Sequence, residues 1–266
     1  MGMHNPSPYP SSLSDEQWQE IEPQLPRRPG GGRPPRHQYR DLLDAIFYLL
    51  RAGCAWRLLP QDFAPWQTVY GYFHRWQQQG LWRKIHDTLV RRVRRAAGKF
   101  PTASAAMLDS QSVKCADPAG PRGYDAGKKI KGRKRHVLVD TVGLILAVRV
   151  SVAAVQDRDG ARLVLVWLRH HARRRRVIWA DGGYAGTLVG WLWRLRAPRR
   201  VRLEVVKRAA TQRGFAVLPK RWIVERTLGW LVKQRRLRCD YEQLLRTSET
   251  MIHVAMIRLM LKRLHR

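Results

Sequence analysis

Cysteine is scarce in this chain of 266 residues, which contains only Cys54, Cys115 and Cys239. The three are far apart in the sequence, with no Cys-x-x-Cys pair and no cluster of cysteine and histidine. This pattern argues against a zinc-finger arrangement and against a disulfide framework. It favours a reducing compartment, and we expect the protein to work in the cytoplasm.

Long apolar runs are also missing. The first eighteen residues contain no apolar segment of the kind that signal peptides have, so we expect no signal peptide there. The most apolar helical segment, near the C-terminus, includes Arg258, Lys262 and Arg263. Because charges at these positions disfavour a membrane span, we expect no contact with membranes.

Acidic residues are few relative to basic ones. The chain has 51 lysines and arginines against 20 aspartates and glutamates, which gives a formal net charge of +31 and an isoelectric point near 11.4. A polyanion such as DNA would neutralise this excess. The simpler alternative is an arginine-rich composition on a solvated surface. We favour nucleic acid because 44% hydrophobic residues and 11 tryptophans predict a folded core and not a disordered basic tail.

The first part of the chain, residues 1–99, has helical periodicity throughout. We predict an all-α, helix-turn-helix-like domain that binds DNA. The segment 66–79 is the best candidate for the helix that enters a major groove, with Val69, Phe73 and Trp76 facing the core. The arginine-rich helix 81–98 is an alternative, since it could equally lie on phosphates.

From residue 100 to residue 266 the pattern changes to alternating strands and helices. A short apolar run ends in Asp109, a hairpin is predicted around a turn at residues 140–143, and another buried strand runs into Asp181. Helices and one more strand follow. This order predicts an α/β catalytic domain, with a mixed sheet flanked by helices.

Three carboxylates stand out in this second part. Asp109 and Asp181 are predicted at the carboxyl ends of two strands, where α/β proteins bind ligands, and Glu225 lies on a helix. Oxygen donors of this kind suit Mg²⁺ or Mn²⁺, and a pair of ions could clamp a phosphodiester for in-line displacement. The alternative for Glu225 is a plain ion pair with Arg221, one helical turn away.

Basic residues surround these carboxylates in the sequence. The segment GKKIKGRKRH is predicted to approach DNA phosphates, or alternatively to be a solvated loop. The helix that carries Glu225 is expected to present further arginines to the strand beside the scissile phosphate, with Arg221 and Arg236 in nearly the same direction as Glu225. The predicted DNA contacts are Lys128, Lys129, Lys131, Arg133, Lys134, Arg135, Arg221, Arg226, Lys233 and Arg236.

Four segments carry a resemblance to a known family: LDSQSVK, YDAGKKIKGRKRHVLVDTVGL, WADGGYAG and RWIVERTLGWLVKQRRL. With the N-terminal segments LSDEQWQEIEPQLP and PWQTVYGYFHRWQQQGLW, they resemble the DDE transposases of bacterial insertion sequences, most closely the insertion-sequence-five group. The resemblance extends from residue 13 to about residue 262. It implies a ribonuclease-H-like catalytic core.

The resemblance implies a function as well. It assigns Asp109, Asp181 and Glu225 as catalytic metal ligands for Mg²⁺ or Mn²⁺, and double-stranded DNA as substrate at both the element's ends and the target. Metal-activated water would cut the ends, and the freed 3′-hydroxyls would attack target DNA. We expect a homodimer in the DNA complex. Two alternatives remain: an inactive, transposase-derived DNA-binding protein or repressor, and a nuclease that cuts without joining.

The segment around the glutamate departs from the family pattern at two positions. Transposases of this kind often have tyrosine, two residues, arginine, three residues, glutamate, six residues and lysine. Arg221 and Glu225 match this pattern, whereas Leu218 stands at the tyrosine position and Val232 at the lysine position. A lysine, Lys233, follows one residue later.

Overall fold

The structure of the protein is a computed structural model, and it describes most of the chain. The described residues are 9–27, 36–117, 120–171, 177–195, 201–206 and 221–265. Leu218 of the family pattern lies outside them.

The first hundred residues form helices, as predicted. They are α1 (Asp15–Ile21), α2 (Tyr39–Ala52), α3 (Trp66–Gln78) and α4 (Leu81–Ala96). Helix α1 begins with a capping box, in which the side chains of Ser14 and Gln17 each accept a bond from the other's backbone N–H. On α3, Val69, Phe73 and Trp76 are fully buried, so the predicted core face of this helix is confirmed.

The second part contains a mixed sheet with helices inserted between its strands. The strands are β1 (Ala105–Lys114), β2 (Gly123–Asp125), β3 (Ile130–Asp140), β4 (Ile145–Val152), β5 (Val177–Ala180) and β6 (Arg202–Val205). The helices that accompany them are α5 (Asp157–Leu165), α6 (Leu168–His171) and α7 (Thr187–Arg194), followed by α8 (Arg221–Val232) and α9 (Leu245–Leu264).

The sheet has an antiparallel side and a parallel side. Strand β3 pairs antiparallel with β1 on one edge, and with β2 and β4 on its other edge. Strand β1 pairs parallel with β5, and β5 pairs parallel with β6. The predicted hairpin is thus confirmed, and the mixed sheet flanked by helices agrees with the ribonuclease-H-like architecture that we expected.

The last helix, α9, joins the two parts of the chain. It packs against α1, α2 and α4 on one side and against β4 on the other. One contiguous apolar core therefore runs from the N-terminal helices into the sheet. The predicted boundary near residue 100 coincides with the connection from α4 to β1, and the division into two domains stays a prediction. No described helix is both long and apolar enough to cross a lipid bilayer.

A buried ion pair also connects these two parts. Arg94 of α4 donates a hydrogen bond to Asp140 at the end of β3, and both side chains are nearly inaccessible to solvent. The other carboxylate oxygen of Asp140 accepts bonds from the backbone N–H groups of Val142 and Leu144. Because a buried pair is costly to break, this contact holds α4 at the hairpin turn.

Two histidines face each other between α4 and α9, with ring centroids 4.9 Å apart. Burial lowers the pKa of His86, although its hydrogen bond to Asp87 works in the opposite direction. Burial, together with the charge of His86, lowers the pKa of His253 well below its ordinary value. The other charged groups that act on His253 are Arg83, Arg149 and Asp87. Both rings are therefore neutral in the folded protein at neutral pH.

We expect this histidine pair to make the protein less stable in mild acid. The unfolded chain binds protons on these rings below about pH 6.5, while the folded chain resists them, so the free energy of unfolding falls as pH falls. His253→Gln should weaken this dependence by up to about 1.4 kcal/mol per pH unit. Urea unfolding between about pH 7 and pH 5 measures it. Parallel pH profiles for variant and wild type would contradict the prediction.

Candidate active site

The register of two parallel strands places Asp109 beside Asp181. In the β1–β5 pair, Ala105 lies opposite Val177 and Met107 lies opposite Trp179. Strand β5 ends at residue 180. Counted from the pair Met107 and Trp179, two more residues along each strand direction lead to Asp109 and Asp181. These two aspartates therefore occupy neighbouring positions at the point where the strands separate.

The position of Asp109 corrects one expectation. The residue lies in the middle of β1 and not at its carboxyl end, because β1 continues to Lys114 along its antiparallel partner β3. The neighbouring strand β5 is the one that stops. Asp109 thus lies beside the end of β5 because β5 is the shorter strand.

The environment of Asp109 disfavours its charge. Burial raises the pKa of the Asp109 carboxyl to about 6, and the nearby negative charge of Asp181 acts in the same direction. The backbone N–H of Ser110 donates to Asp109 Oδ1 at 2.7 Å and opposes this rise. Arg221 and Lys128 oppose it as well. Two carboxylates held this close in a half-buried site favour a cation between them.

Asp181 and Glu225 are connected through one arginine. Asp181 Oδ1 accepts a bond from the N–H of Gly183 at 2.9 Å, which fixes the aspartate at the start of a tight turn. Its Oδ2 lies 3.6 Å from a guanidinium nitrogen of Arg221. The same nitrogen lies 3.8 Å from Glu225 Oε1, and the Glu225 side chain is 58% exposed. The predicted alternative for Glu225, an ion pair one helical turn long, is therefore present in this geometry.

The chemistry of these side chains suits a divalent metal ion, but the three are not gathered around one point. In the described part of the chain, no three histidine, cysteine, aspartate or glutamate side chains lie close enough together to hold a metal ion. Asp109 and Asp181 supply hard oxygen donors, as Mg²⁺ or Mn²⁺ requires. Arg221 supplies positive charge to Asp181 and Glu225 in this conformation.

A second group of charged residues lies behind Asp109. The hydroxyl of the adjacent Ser110 donates to Asp157 at 2.8 Å, and the Lys134 ammonium lies 3.1 Å from Asp157 and 3.2 Å from Asp125. Burial would raise the pKa of Asp125, but hydrogen bonds to its carboxylate lower that pKa to about 2. Asp157 begins helix α5, and its tertiary contact with Ser110 leaves no signal in local spacing.

Four of the residues that we predicted to contact DNA are buried, so the prediction is wrong for them. Arg133, Lys134, Arg135 and Arg236 expose at most 6% of their surface, which leaves no room for a phosphate. The segment predicted as a basic approach or a loop is instead mostly strand β3, covered on both faces. Toward one face, Lys134 donates to the carbonyl of Val155. Toward the other, Arg133 donates to Asp240.

Arg236 is buried because the helix ends earlier than the pattern predicted. Helix α8 stops at residue 232, and Arg236 lies in the short turn that follows. Its guanidinium donates to Glu242 at 3.0 Å and to the carbonyl oxygen of Cys54 at 2.9 Å. It therefore does not share the direction of Glu225.

The other predicted DNA contacts remain accessible. Lys128, Lys129 and Lys131 are exposed in and beside the turn that precedes β3, while Arg226 and Lys233 are exposed at α8. The Arg226 guanidinium lies over the rings of Trp222 and Trp230, with 4.5 and 4.7 Å to the ring centroids. These residues are thus accessible to solvent, and their contact with DNA stays a prediction.

Comparisons with known proteins agree with the two-part organisation. A family model described as a putative transposase of the IS4/5 family matches residues 13–86, and a model described as a transposase DDE domain matches residues 101–260. The first match ends within α4, and the second begins in the connection between α4 and β1.

Individual relatives carry similar descriptions. A putative transposase for insertion sequence element IS402 of Burkholderia cepacia is 32% identical over 132 residues, which is 47% of this chain and 59% of that protein. An uncharacterized 16.2 kDa protein of the same element is 33% identical over 125 residues, 44% of this chain and 78% of the relative. An uncharacterized protein of Sinorhizobium fredii, y4sN, is 32% identical over 101 residues, 32% of this chain and 81% of the relative.

Proposed function

Because the chain belongs to the DDE transposases of the IS4/5 type, we propose that it cleaves phosphodiester bonds at the ends of an insertion sequence and joins the freed 3′-hydroxyls to target DNA. The observation that supports this chemistry most directly is the register of β1 and β5, which makes Asp109 and Asp181 neighbours. The net charge of +31 supports DNA as the substrate.

Asp109 and Asp181 would hold the divalent cation, and Glu225 would complete the set from α8. A bound Mg²⁺ or Mn²⁺ supplies Lewis-acid polarisation and a more acidic water. Asp109 must be ionised to act as a ligand, and a cation at this point favours ionisation because it offsets the desolvation that raises the pKa to about 6. Arg221 is close enough to Asp181 and Glu225 to pair with a DNA phosphate once these carboxylates turn to the cation.

The geometry also favours one competing assignment. The contact between Arg221 and Glu225 is that of an ordinary surface pair, worth about 0.2–0.5 kcal/mol. An inactive, DNA-binding relative of transposases would need no more than this. Strand transfer separates the two: purified protein, Mg²⁺ and a labelled duplex that carries the inverted repeats flanking the gene should give joined product. Binding of that duplex without cleavage or joining would favour the inactive protein.

The exposed lysines before β3 should contribute to DNA affinity without regard to sequence. Lys128 and Lys131 would become alanine, and Lys129, which has φ of 54°, would become asparagine because asparagine tolerates this conformation. Binding should weaken for every duplex, and the slope of log affinity against log salt should flatten by up to about 0.9 for each phosphate that the variant no longer binds. Fluorescence anisotropy over a salt series measures it.

The control for these lysines is Lys99→Ala, which removes an exposed charge from the connection between α4 and β1. We expect this variant to keep the wild-type slope. If the triple variant also keeps the wild-type slope, the lysines before β3 do not belong to the interface.

A further inference from the structure

A basic cavity lies at the far end of α8 from the carboxylates. Its volume is about 630 Å³, and it is bounded by the end of α2, the segment that follows α8 and the last turns of α9. Six of its lining residues are cationic: Arg51, Lys233, Arg235, Arg238, Arg258 and Lys262. None of the described residues that line it is an aspartate or a glutamate.

The arginine at the base of the cavity is unusually placed. Arg258 is only 7% exposed, and its buried Nε has no hydrogen-bond partner in the described part of the chain. One of its terminal nitrogens donates weakly to the carbonyl of Pro10, at 3.4 Å. A buried guanidinium without a carboxylate partner is costly, and an external anion would relieve that cost.

The neighbouring cations increase this effect. Burial lowers the pKa of Arg258, and the charge of Arg51 lowers it further. Burial and the charges of Arg258 and Arg51 lower the pKa of Lys262. Arg51 itself is held in place by a hydrogen bond to the carbonyl of Lys233, at 2.8 Å. Helix α2, the segment after α8 and helix α9 thus bring positive charges together. No described carboxylate on the cavity wall neutralises them.

We propose that this cavity binds backbone phosphates of the DNA substrate, away from the phosphodiester that is cut. The proposal rests on the proposed function, since it takes DNA as the substrate. Five of the six cations are exposed at the opening, and Arg258 alone is buried beneath them. An exposed rim of this kind suits a chain of phosphates, with Arg258 reaching the one that enters farthest.

The length of α8 allows a single duplex to contact both the carboxylates at one end of this helix and the cavity at the other. Helix α8 has 12 residues, so its two ends are about 18 Å apart. Along one strand of DNA, this separation corresponds to roughly five base pairs at about 3.4 Å each. A duplex cut beside Asp109 and Asp181 would therefore have phosphates within reach of the cavity, and these contacts would fix its register.

The test compares two charge-matched double variants of the full-length protein. K262Q/R238Q removes two cations from the rim of the cavity. K99Q/R246Q removes one lysine and one arginine that are also exposed but do not line it. Arg246 lies sixteen residues before Lys262 on α9, about 24 Å away. Binding to a short duplex of random sequence is measured over a salt series, with thermal unfolding to verify that both variants fold.

The rim variant should flatten the salt slope by up to about 0.9 for each of its two phosphate contacts, and the control should keep the wild-type slope. In a second measurement, the duplex should protect Lys262 from an amine-reactive reagent and leave Lys99 reactive. Equal slopes for the two double variants would overturn the assignment of the cavity. Protection of Lys262 by inorganic phosphate but not by the duplex would overturn it as well.

These outcomes are separable from a failure of the proposed function. If the wild-type protein joins DNA ends, but the duplex leaves its Lys262 unprotected and the rim variant keeps the wild-type salt slope, only the cavity is disproved. A wild-type protein that binds DNA through the cavity but never cleaves or joins it leaves the cavity in place and disproves the transposase chemistry.

Discussion

Asp181→Asn should reduce strand cleavage by at least about 100-fold while the protein binds DNA as tightly as the wild type, or more tightly. The amide keeps the size of the carboxylate but loses the charge that a divalent cation needs. DNA affinity holds or rises because a negative charge that faces the phosphates is removed. Cleavage of a labelled duplex and anisotropy binding, measured on the same preparation, test both halves of this result.

The substitution Asp181→Asn should remove the charge without changing the local backbone. Asp181 Oδ1 accepts a bond from the N–H of Gly183, and an asparagine oxygen can accept the same bond, so the turn after β5 is preserved. Asp15→Asn is the matched control, since Asp15 is 79% exposed on α1 in an ion pair with Arg40. It should cleave like the wild type. If Asp181→Asn lost binding and cleavage to the same extent, its role would be structural.

Arg133→Ala should destabilise the folded protein by about 3–5 kcal/mol. The Arg133 side chain is completely buried and donates to Asp240 and to Ser248, at 2.8 and 2.9 Å. It also donates to the backbone carbonyls of Pro121 and Gln243. Its removal would leave the Asp240 carboxylate buried without its cation. The free energy of unfolding in urea measures the loss.

Lys131→Ala is the control for this buried arginine, since Lys131 is an exposed residue two positions earlier on the same strand. It should change the free energy of unfolding by no more than about 0.5 kcal/mol. The two variants together separate a cation that holds the fold from one that faces solvent. Unchanged stability of Arg133→Ala would mean that the buried network contributes little to the stability of the fold.

Much of the candidate site could be predicted because it depends on local patterns. Apolar runs of strand length, each followed by or containing an aspartate, identified Asp109 and Asp181. The turn at residues 140–143 indicated a hairpin, and helical spacing placed Glu225 on α8. Each of these signals comes from a few consecutive residues, and the structure has the predicted strands, hairpin and helix, although Asp109 lies within β1 and not at its end.

What could not be predicted depends on contacts between distant segments. Charge normally indicates solvent exposure, yet Arg133 and Arg135 are covered because the segment around Asp240 packs over that face of β3. On the opposite face, α5 approaches so closely that a Cβ at position 160 would lie 1.9 Å from the His136 ring, so only glycine fits there. Neither approach leaves a trace in the spacing of β3 itself.

The packing of α9 also has a consequence for synthesis of the chain. Helix α9 is made about 150 residues after α4 ends, and it packs against α1, α2 and α4. At about 5–20 residues per second, the ribosome needs roughly 8–30 s to add that length. During this time, the apolar surfaces of α1, α2 and α4 that pack against α9 remain uncovered. A polypeptide that is terminated before α9 never receives that partner, so its uncovered apolar surface makes it a substrate for chaperones and proteases.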